Sequence, residues 1–247
     1  MGVLGDALEW FFDPVRWSGE FGIPARLLEH LELSAFSLAA AALIALPLGV
    51  YIGHARRFEF VTISVANLGR AVPSFGILAL ALPVTIELGL GLGFWPAFIA
   101  LWFLAIPPML TNAHIAIKGV DADMVEAARG MGMSEREILS RTELPLGLPL
   151  IIGGVRTSAV QVVATATLAA LVAGGGLGRF IIDGFAVRDN AQIFGGAVLV
   201  AGLAIVVDLA LGVLERIARK RAGLAPTGRK EAFQEVGQVP RPAGSVM

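Results

Sequence analysis

One short polar segment interrupts an otherwise apolar chain, at residues 125–145. It begins Val125-Glu126-Ala127-Ala128-Arg129-Gly130-Met131-Gly132, continues Ser134-Glu135-Arg136-Glu137 and ends Glu143-Leu144-Pro145. Long apolar runs flank it on both sides. In a membrane protein, a polar segment in such a position most often docks a soluble partner. We therefore expect residues 118–147 to form a loop that binds another protein.

The composition indicates a protein that lies mostly in lipid. Of the 247 residues, 56% are hydrophobic and 16% are charged, and the mean hydropathy is +0.76. A soluble domain carries about 25% charged residues. The net charge of −1 argues against nucleic acid as a partner, and the lack of cysteine excludes disulfides and thiolate metal sites. Residues 1–13 lack a basic stretch and a small-residue cleavage site, so no signal peptide is expected.

Hydropathy predicts an all-α integral membrane protein with about five transmembrane helices, since one span needs about 20 mostly apolar residues. The second span contains Pro73, which lacks a backbone donor and is expected to kink or split the helix. Six spans result if residues 58–70 and 74–88 cross or re-enter separately, and this alternative stays open. The five predicted spans cover residues 33–53, 58–83, 95–117, 148–173 and 193–214.

The distribution of Lys and Arg predicts the orientation, because cytoplasmic loops carry the excess of basic residues. With the N-terminus outside, loop 118–147 and the C-terminus fall on the strongly basic side and are predicted to be cytoplasmic. We expect residues 1–30 to be an extracytoplasmic amphipathic segment and residues 217–247 to be a disordered tail. The predicted outer side keeps four basic residues, Arg16, Arg26, Arg179 and Arg188.

Local signals predict two short helices within the loop. Asp123 with Glu126, and Ser134 with Glu137, have the spacing of capping boxes. The glycines between them permit a sharp turn, and Leu144-Pro145 is expected to end the second helix. Periodicity alone leaves open a solvated loop with incidental helices. In the docking interpretation, the side chains available to a partner are Val125, Ala128, Met131, Met133 and Ile138.

The order Glu-Ala-Ala, three residues, Gly, nine residues, then x-x-Leu-Pro resembles the loop with which permeases of ABC importers bind their ATPase. Thr142 stands where that family usually has Ile, which is a small departure. The resemblance implies a type I ABC importer permease bundle (MetI-like) over about residues 31–216, in a prokaryotic cell (inner) membrane. The positions that match the ATPase-coupling motif are Glu126, Ala127, Ala128, Gly132, Leu144 and Pro145.

The resemblance also implies partners. These are a cytoplasmic ABC ATPase dimer, a second permease subunit (identical or paralogous) and an extracytoplasmic substrate-binding protein. ATP would bind to the ATPase, and no cofactor is expected on this chain.

Two further stretches resemble permeases for glycine betaine, carnitine, choline and related osmoprotectants. One is Gly154-Val155-Arg156-Thr157-Ser158, and the other is Ala164-Thr165-Ala166-Thr167-Leu168-Ala169-Ala170-Leu171 with the glycine-rich run at 174–178. This likeness implies a quaternary-ammonium compatible solute as cargo. A permease for an amino acid (methionine-like) or for another small solute stays open.

Polar residues within the spans are candidates for the translocation pathway. Arg70 lies beside the break at Pro73, and it either forms part of a gate or extends toward the inner surface. Thr157, Gln161 and Thr165 recur every four residues and therefore share one helix face. That face is either a pathway wall or a hydrogen-bonded helix contact. Asp208 is expected to pair with a basic residue or a backbone donor.

Two other functional classes fit the sequence less well. An intramembrane hydrolase needs a nucleophile with a base, or metal ligands, at membrane depth. The serines in the spans have no obvious histidine partner, and neither an HExxH nor a Walker A pattern occurs. We therefore expect a transport subunit rather than an enzyme. A passive channel would have no use for an ATPase-docking loop.

Overall fold

The structure is a computed structural model that describes residues 2–223, and every regular element in that part is helical. The helix Phe94–Lys118 is interrupted by neither of its two internal prolines. Short 3₁₀ or π turns lie at Pro14–Trp17, Leu139–Glu143 and Ala166–Val172. The α-helices are α1 (Val3–Phe12), α2 (Ile23–Ala55), α3 (Glu59–Ala71), α4 (Ser74–Glu87), α5 (Phe94–Lys118), α6 (Ala122–Gly130), α7 (Glu135–Ile138), α8 (Leu144–Thr165), α9 (Gly178–Val187) and α10 (Asn190–Arg221).

Four helical runs among residues 2–223 are long and apolar enough to cross a membrane. They are Ile23–Ala55, Phe94–Lys118, Glu135–Val172 and Asn190–Arg221. The predicted second span is divided between the shorter helices α3 and α4, which meet at Pro73 in extended backbone. The break predicted there is present, because proline cannot donate to the helix that precedes it.

Two helices are longer than the sequence predicted. Helix α2 begins at Ile23, where Gly22 is the N-cap and proline follows in the first turn, so residues 23–30 belong to α2 and not to a separate surface helix. Helix α10 continues to Arg221 and ends in three basic residues, which suit the negative end of a helix. Helix α9 was not predicted. The predicted tail beyond residue 223 lies outside the described residues.

The centre of the bundle is built from small residues, which let the helix backbones approach closely. Gly49 and Gly53 lie one turn apart on α2, facing α5. A Cβ atom on Gly49 would lie 2.6 Å from the carbonyl oxygen of Leu110, and one on Gly53 would lie 2.8 Å from that of His114. Helices α2 and α5 therefore touch along their backbones, and α5 packs in turn against α8 through Gly154.

Polar side chains of α2 fix the same helices at the other end of the bundle. The Nε2 atom of His30, a residue only 1% exposed, donates to the carbonyl oxygen of Val163 on α8 at 2.9 Å. Its Nδ1 accepts from the backbone of Leu177 at 3.3 Å, so the ring is the neutral Nε2-protonated tautomer. Glu29 accepts from the Gly176 amide at 2.7 Å. The glycine-rich run after α8 is thus a turn capped by α2.

Candidate functional site

Helix α6 ends in a Schellman motif, the helix ending in which a left-handed residue lets the chain turn back on the last helical turn. Gly132 is that residue, with φ of +85°. Its amide donates to the carbonyl oxygen of Arg129 at 3.0 Å, and the amide of Met133 donates to that of Ala128 at 3.2 Å. A Cβ atom on Gly132 would meet nothing within 4 Å. The motif therefore requires glycine for its backbone conformation and not for space.

One of the two predicted capping boxes is correct. Ser134 and Glu137 exchange the reciprocal bonds of a capping box at the start of α7. The predicted box at Asp123 and Glu126 is wrong, because Asp121 is the N-cap of α6 and accepts from the amide of Asp123 at 2.9 Å. The Asp121 side chain thereby satisfies one free amide at the actual helix start, two residues upstream of the predicted one.

The loop has a small apolar core of its own. Val125, Ala128 and Ile138 are 6%, 3% and 0% exposed, and they pack with Val120. These three side chains therefore do not face a partner, which corrects the prediction. They are buried because α6 folds back on α7 through the Schellman turn. Met133 packs on the same core, whereas Met131 is 76% exposed.

A bidentate ion pair braces the two loop helices. The Nε and Nη2 atoms of Arg129 donate to the two carboxylate oxygens of Glu135 at 2.9 and 3.1 Å. The hydrogen bond to Glu135 raises the pKa of Arg129, and the same bond holds the pKa of the Glu135 carboxyl below its ordinary value. Arg129 precedes the Gly132 turn and Glu135 follows it, so the ion pair holds α6 against α7 across the turn.

The loop is also attached to the end of α2. Nδ1 of His54 donates to a carboxylate oxygen of Glu143 at 2.5 Å, and Glu143 is only 3% exposed. Nε2 of the same ring lies 3.7 Å from Glu135. Glu126 and Arg129 line the adjoining cavity of about 240 Å³. The attachment joins residues far apart in sequence, and no local pattern predicted it.

The loop continues into a membrane helix without a break. A π-helical turn at Leu139–Glu143 joins α7 to α8, and Leu144 and Pro145 are the first residues of α8. The prediction that they end the second loop helix is therefore wrong. The π-helical turn before it accommodates Pro145, which has no amide to donate to the preceding turn. Residues 135–172 therefore form one continuous helical segment.

Some of the predicted coupling residues lie on a solvent-exposed surface of the loop. Glu126 and Ala127 are exposed on α6, next to the exposed Met131 and Gly132. Ala128 is buried in the loop core, Leu144 is half-buried, and Pro145 is exposed. The exposed part of α6 and its Gly132 turn, residues 124–132 without Val125 and Ala128, is called the docking surface below.

The predicted pathway residues are brought together only in part. Thr157 and Gln161 line one cavity of about 470 Å³ between α8 and α10, whereas Thr165 is half-buried outside it. Pro73 is exposed at the break between α3 and α4. The side chain of Arg70 lies outside the described part of the structure, so its place in the pathway stays a prediction.

The same cavity contains three charged groups, none of which was predicted to lie in the pathway. Nε and Nη2 of Arg156 donate to the two oxygens of Asp208 at 2.7 and 2.8 Å. Its Nη1 donates to Glu215 at 3.2 Å. The expected basic partner of Asp208 is therefore Arg156. The signal that could have found it is an arginine inside the fourth predicted span, opposite an aspartate in the fifth.

Relatives among characterised proteins are osmolyte permeases by name. The choline transport system permease protein OpuBB of Bacillus subtilis (strain 168) is 38% identical over 188 residues, 76% of this chain and 84% of that protein. The glycine betaine/carnitine/choline transport system permease protein OpuCB of the same organism has the same identity and coverage. The osmoprotectant import permease protein OsmW of Salmonella typhimurium is 33% identical over 187 residues, 76% of this chain and 87% of that protein.

Solved structures show the same fold. A chain of the inward facing MetNI methionine ABC transporter superposes with a TM-score of 0.71 at 22% identity, over 83% of this chain and 98% of that one. A chain of an amino acid ABC transporter gives a TM-score of 0.65 at 16% identity, over 90% of this chain and 99% of that one. These likenesses confirm the predicted MetI-like, all-helical membrane bundle.

The family assignment agrees with the fold and with the loop. The sequence profile described as binding-protein-dependent transport system inner membrane component matches residues 45–222. Members of this family are transport permease subunits that lie in the membrane with several spans. Together with the relatives, the match confirms the resemblance to osmoprotectant ABC importer permeases. The chain belongs to the family of binding-protein-dependent transport system inner membrane components.

Proposed function

We propose that this chain is a permease subunit of an ATP-driven importer for a quaternary-ammonium osmoprotectant such as glycine betaine, choline or carnitine. One observation carries the proposal of ATP-driven transport: a loop with its own core and an exposed docking surface continues directly into the membrane helix α8. Because its own apolar core holds such a loop together, a movement of the loop is transmitted to α8.

The proposed partners follow from this surface. An ABC ATPase dimer binds the docking surface in the cytoplasm, and ATP binds only to that dimer. A second permease subunit, identical or paralogous, completes the pathway, and a substrate-binding protein delivers cargo from outside. The proposed orientation places the N-terminus outside and both the loop and the C-terminus in the cytoplasm, in agreement with the bias of Lys and Arg.

The proposed mechanism has two global states. ATP binding closes the ATPase dimer, and the docking surface moves with it because Arg129–Glu135 and His54–Glu143 hold the loop together. The movement tilts α8 and opens the pathway toward the loaded binding protein. ATP hydrolysis lets the loop return to its first position, and the pathway then opens toward the cytoplasm. Coupling of this kind is a difference in the affinity of each state for nucleotide and for cargo.

The names of the relatives support the cargo class. They include choline, glycine betaine and carnitine permeases, and they are more similar to this chain than the methionine transporter, which at 22% identity supports the fold alone. Glu126, Ala127, Ala128, Gly132, Leu144 and Pro145 remain the proposed ATPase-coupling residues.

Uptake into proteoliposomes tests this function. The chain is assembled with its ATPase and binding protein, and the entry of labelled choline, glycine betaine, carnitine and methionine is measured with ATP or a non-hydrolysable analogue inside. We expect ATP-dependent uptake of at least one quaternary ammonium compound and none of methionine. Uptake of methionine alone would contradict the cargo, and uptake that is independent of ATP would contradict the mechanism.

A further inference from the structure

We propose that Thr111, Asn112 and Gln161 form a subsite that binds the hydroxyl group of a hydroxylated cargo, such as choline or carnitine. The proposal rests on the function proposed above and gives that cargo class a point of recognition within the membrane. The three side chains line a cavity of about 330 Å³ between α3, α5 and α8. This volume lies at the lower end of the range of about 300–1,000 Å³ that is usual for small-molecule sites.

The cavity lies near the middle of the membrane helices. Its wall includes residues of α5 between Leu104 and Asn112, at the centre of a helix that spans Phe94–Lys118. Asn112 and Gln161 also line the cavity of about 470 Å³ described above, which contains the predicted pathway residue Thr157. Because the two cavities share these side chains, they adjoin. Polar groups at this depth are costly against hydrocarbon, so a polar cavity here fits a pathway for a polar solute.

Thr111 has a hydroxyl group that is not used within the bundle. A threonine inside a helix often donates this group to a carbonyl oxygen one turn back, as Thr157 does to Gly153 at 3.0 Å. The Oγ1 atom of Thr111 is buried and has no hydrogen-bond partner among the described residues. Buried polar atoms nearly always have a partner. A helical threonine adopts either of two χ1 rotamers, so a ligand in the cavity can turn this hydroxyl toward itself.

The rest of the polar wall supplies acceptors. Nδ2 of Asn112 donates to the carbonyl oxygen of Pro108 at 2.8 Å, so Oδ1 is the atom left to accept a bond. Pro108 has no amide proton, and the carbonyl oxygen of Leu104, one turn back in the same wall, therefore lacks its usual helix donor. Gln161 adds an amide that both donates and accepts. An alcohol matches this wall, since a hydroxyl group donates one hydrogen bond and accepts others.

Close helix packing holds the wall in place. A Cβ atom on Gly69 of α3 would collide with the ring of Pro107, and one on Gly154 of α8 would lie 2.6 Å from Cβ of Asn112. Small residues of two helices thus contact α5 from two sides at the level of the cavity. The polar groups are therefore positioned before a ligand enters, which lowers the cost of binding.

The wall distinguishes an alcohol from a carboxylate. Choline carries a hydroxyl group, whereas glycine betaine carries a carboxylate and no hydroxyl. A carboxylate only accepts hydrogen bonds, so the acceptor oxygens of Asn112 and Leu104 disfavour it. A site that bonds to the hydroxyl group of one substrate discriminates against an analogue that lacks it, because the polar groups of the site are then left without partners. The subsite therefore favours choline over glycine betaine.

The ratio of choline uptake to glycine betaine uptake tests the subsite. In the assembled importer, Thr111→Val removes the hydroxyl group at nearly constant shape. We expect the initial rate of choline uptake to fall about three- to tenfold relative to that of glycine betaine. Thr111→Ser should keep most of the ratio. Thr85→Val is the matched control and should leave the ratio unchanged, because Thr85 is fully buried on α4 and donates to Leu82 of its own helix.

A labelling experiment does not depend on transport. The chain has no cysteine, so Ala66→Cys places a single thiol in the cavity wall and leaves the three polar side chains intact. In the assembled importer without ATP, we expect choline to slow the reaction of this thiol with a small polar reagent more than glycine betaine does. Addition of Thr111→Val should remove the difference.

The outcomes separate this subsite from the proposed function. Equal labelling with and without choline, or an equal loss of both uptakes in Thr111→Val, would show that Thr111 only packs or holds a water molecule. A greater loss of glycine betaine uptake would show that the cavity binds a carboxylate, and would also overturn the subsite. A wild-type importer that moves neither compound would instead contradict the proposed function.

Discussion

His54, at the last turn of helix α2, donates a hydrogen bond to Glu143, at the start of α8, across 89 positions of sequence. Glu143 is buried, and no other side chain is bonded to it among the described residues. The loop 118–147 connects α5 to α8, and this contact attaches it to a third membrane helix, α2. A displacement of the loop is therefore transmitted to both α2 and α8.

Removal of His54 should loosen that attachment. His54→Ala leaves a buried carboxylate without its donor, which costs roughly 1–3 kcal/mol of unfolding free energy. We expect an importer that carries this variant to consume more ATP per molecule of cargo moved. Unfolding in a denaturing detergent series measures the first effect. In a double-mutant cycle with Glu143→Ala, the two losses should not add; full additivity would show that the two side chains do not interact.

Gly132 should tolerate no side chain, although its surroundings are open. Gly132→Ala forces a left-handed backbone on a residue with a Cβ atom, at a cost of about 1 kcal/mol, and we expect uptake to fall while ATP hydrolysis continues. Gly130→Ala is the matched control, because Gly130 is helical and a Cβ atom there would also meet nothing within 4 Å. Equal effects of the two variants on uptake per ATP would argue against the turn.

The contact between the loop helices should weaken in acid. Glu135 has a pKa below its ordinary 4.5 because Arg129 donates to it, and Glu137 because Ser134 does. A lowered pKa contributes stability that is complete above the ordinary value and is lost as the pH falls through the folded value. Hydrogen exchange of the amides at residues 132–138 should therefore quicken, after correction for intrinsic rates, below about pH 4.5. In Glu135→Gln this pH dependence should weaken; an unchanged profile would assign it elsewhere.

Ser158 should be a structural contact and Thr157 should not. Ser158 is buried and donates to the Ala105 carbonyl oxygen on α5 at 2.8 Å, whereas Thr157 donates to Gly153 of its own helix. We expect Ser158→Ala to lower the unfolding free energy by about 0.6 kcal/mol, the average for such a bond between membrane helices. The upper bound is about 1.7 kcal/mol. Thr157→Ala should change it by less than about 0.5 kcal/mol. The reverse order would place the helix contact on the Thr157 face.

Features set by a few neighbouring residues could be predicted from the sequence. Pro73 splits the second span, and Ser134 with Glu137 starts α7, because a missing donor and a capping box act within one turn. The membrane bundle itself follows from the length of the apolar runs. Gly49 and Gly53 also carry a readable signal, a pair of small residues one turn apart, although their contact with α5 was not among the predictions.

Features set by tertiary contact could not be predicted. The burial of Val125 and Ile138 depends on how α6 folds back, and apolar side chains in a polar loop fit a partner surface equally well. The pairs His54–Glu143 and Arg156–Asp208 join residues 89 and 52 positions apart, so no local spacing marks them. Leu144 and Pro145 start α8 because a π-turn bridges the junction, and local propensity gives no sign of it.

The central claim, that the docking surface binds the ATPase, can be tested by a single crosslink. The chain has no cysteine, so Met131→Cys, at a side chain 76% exposed, carries one thiol on the docking surface, and Val187→Cys, at one 71% exposed on α9, serves as the control. With a short bifunctional crosslinker in the assembled importer, we predict that Met131→Cys forms a covalent product with the ATPase and that its yield changes when ATP binds. Val187→Cys should form none. Absence of the Met131→Cys product in an importer that transports, or its formation from Val187→Cys, would contradict the account.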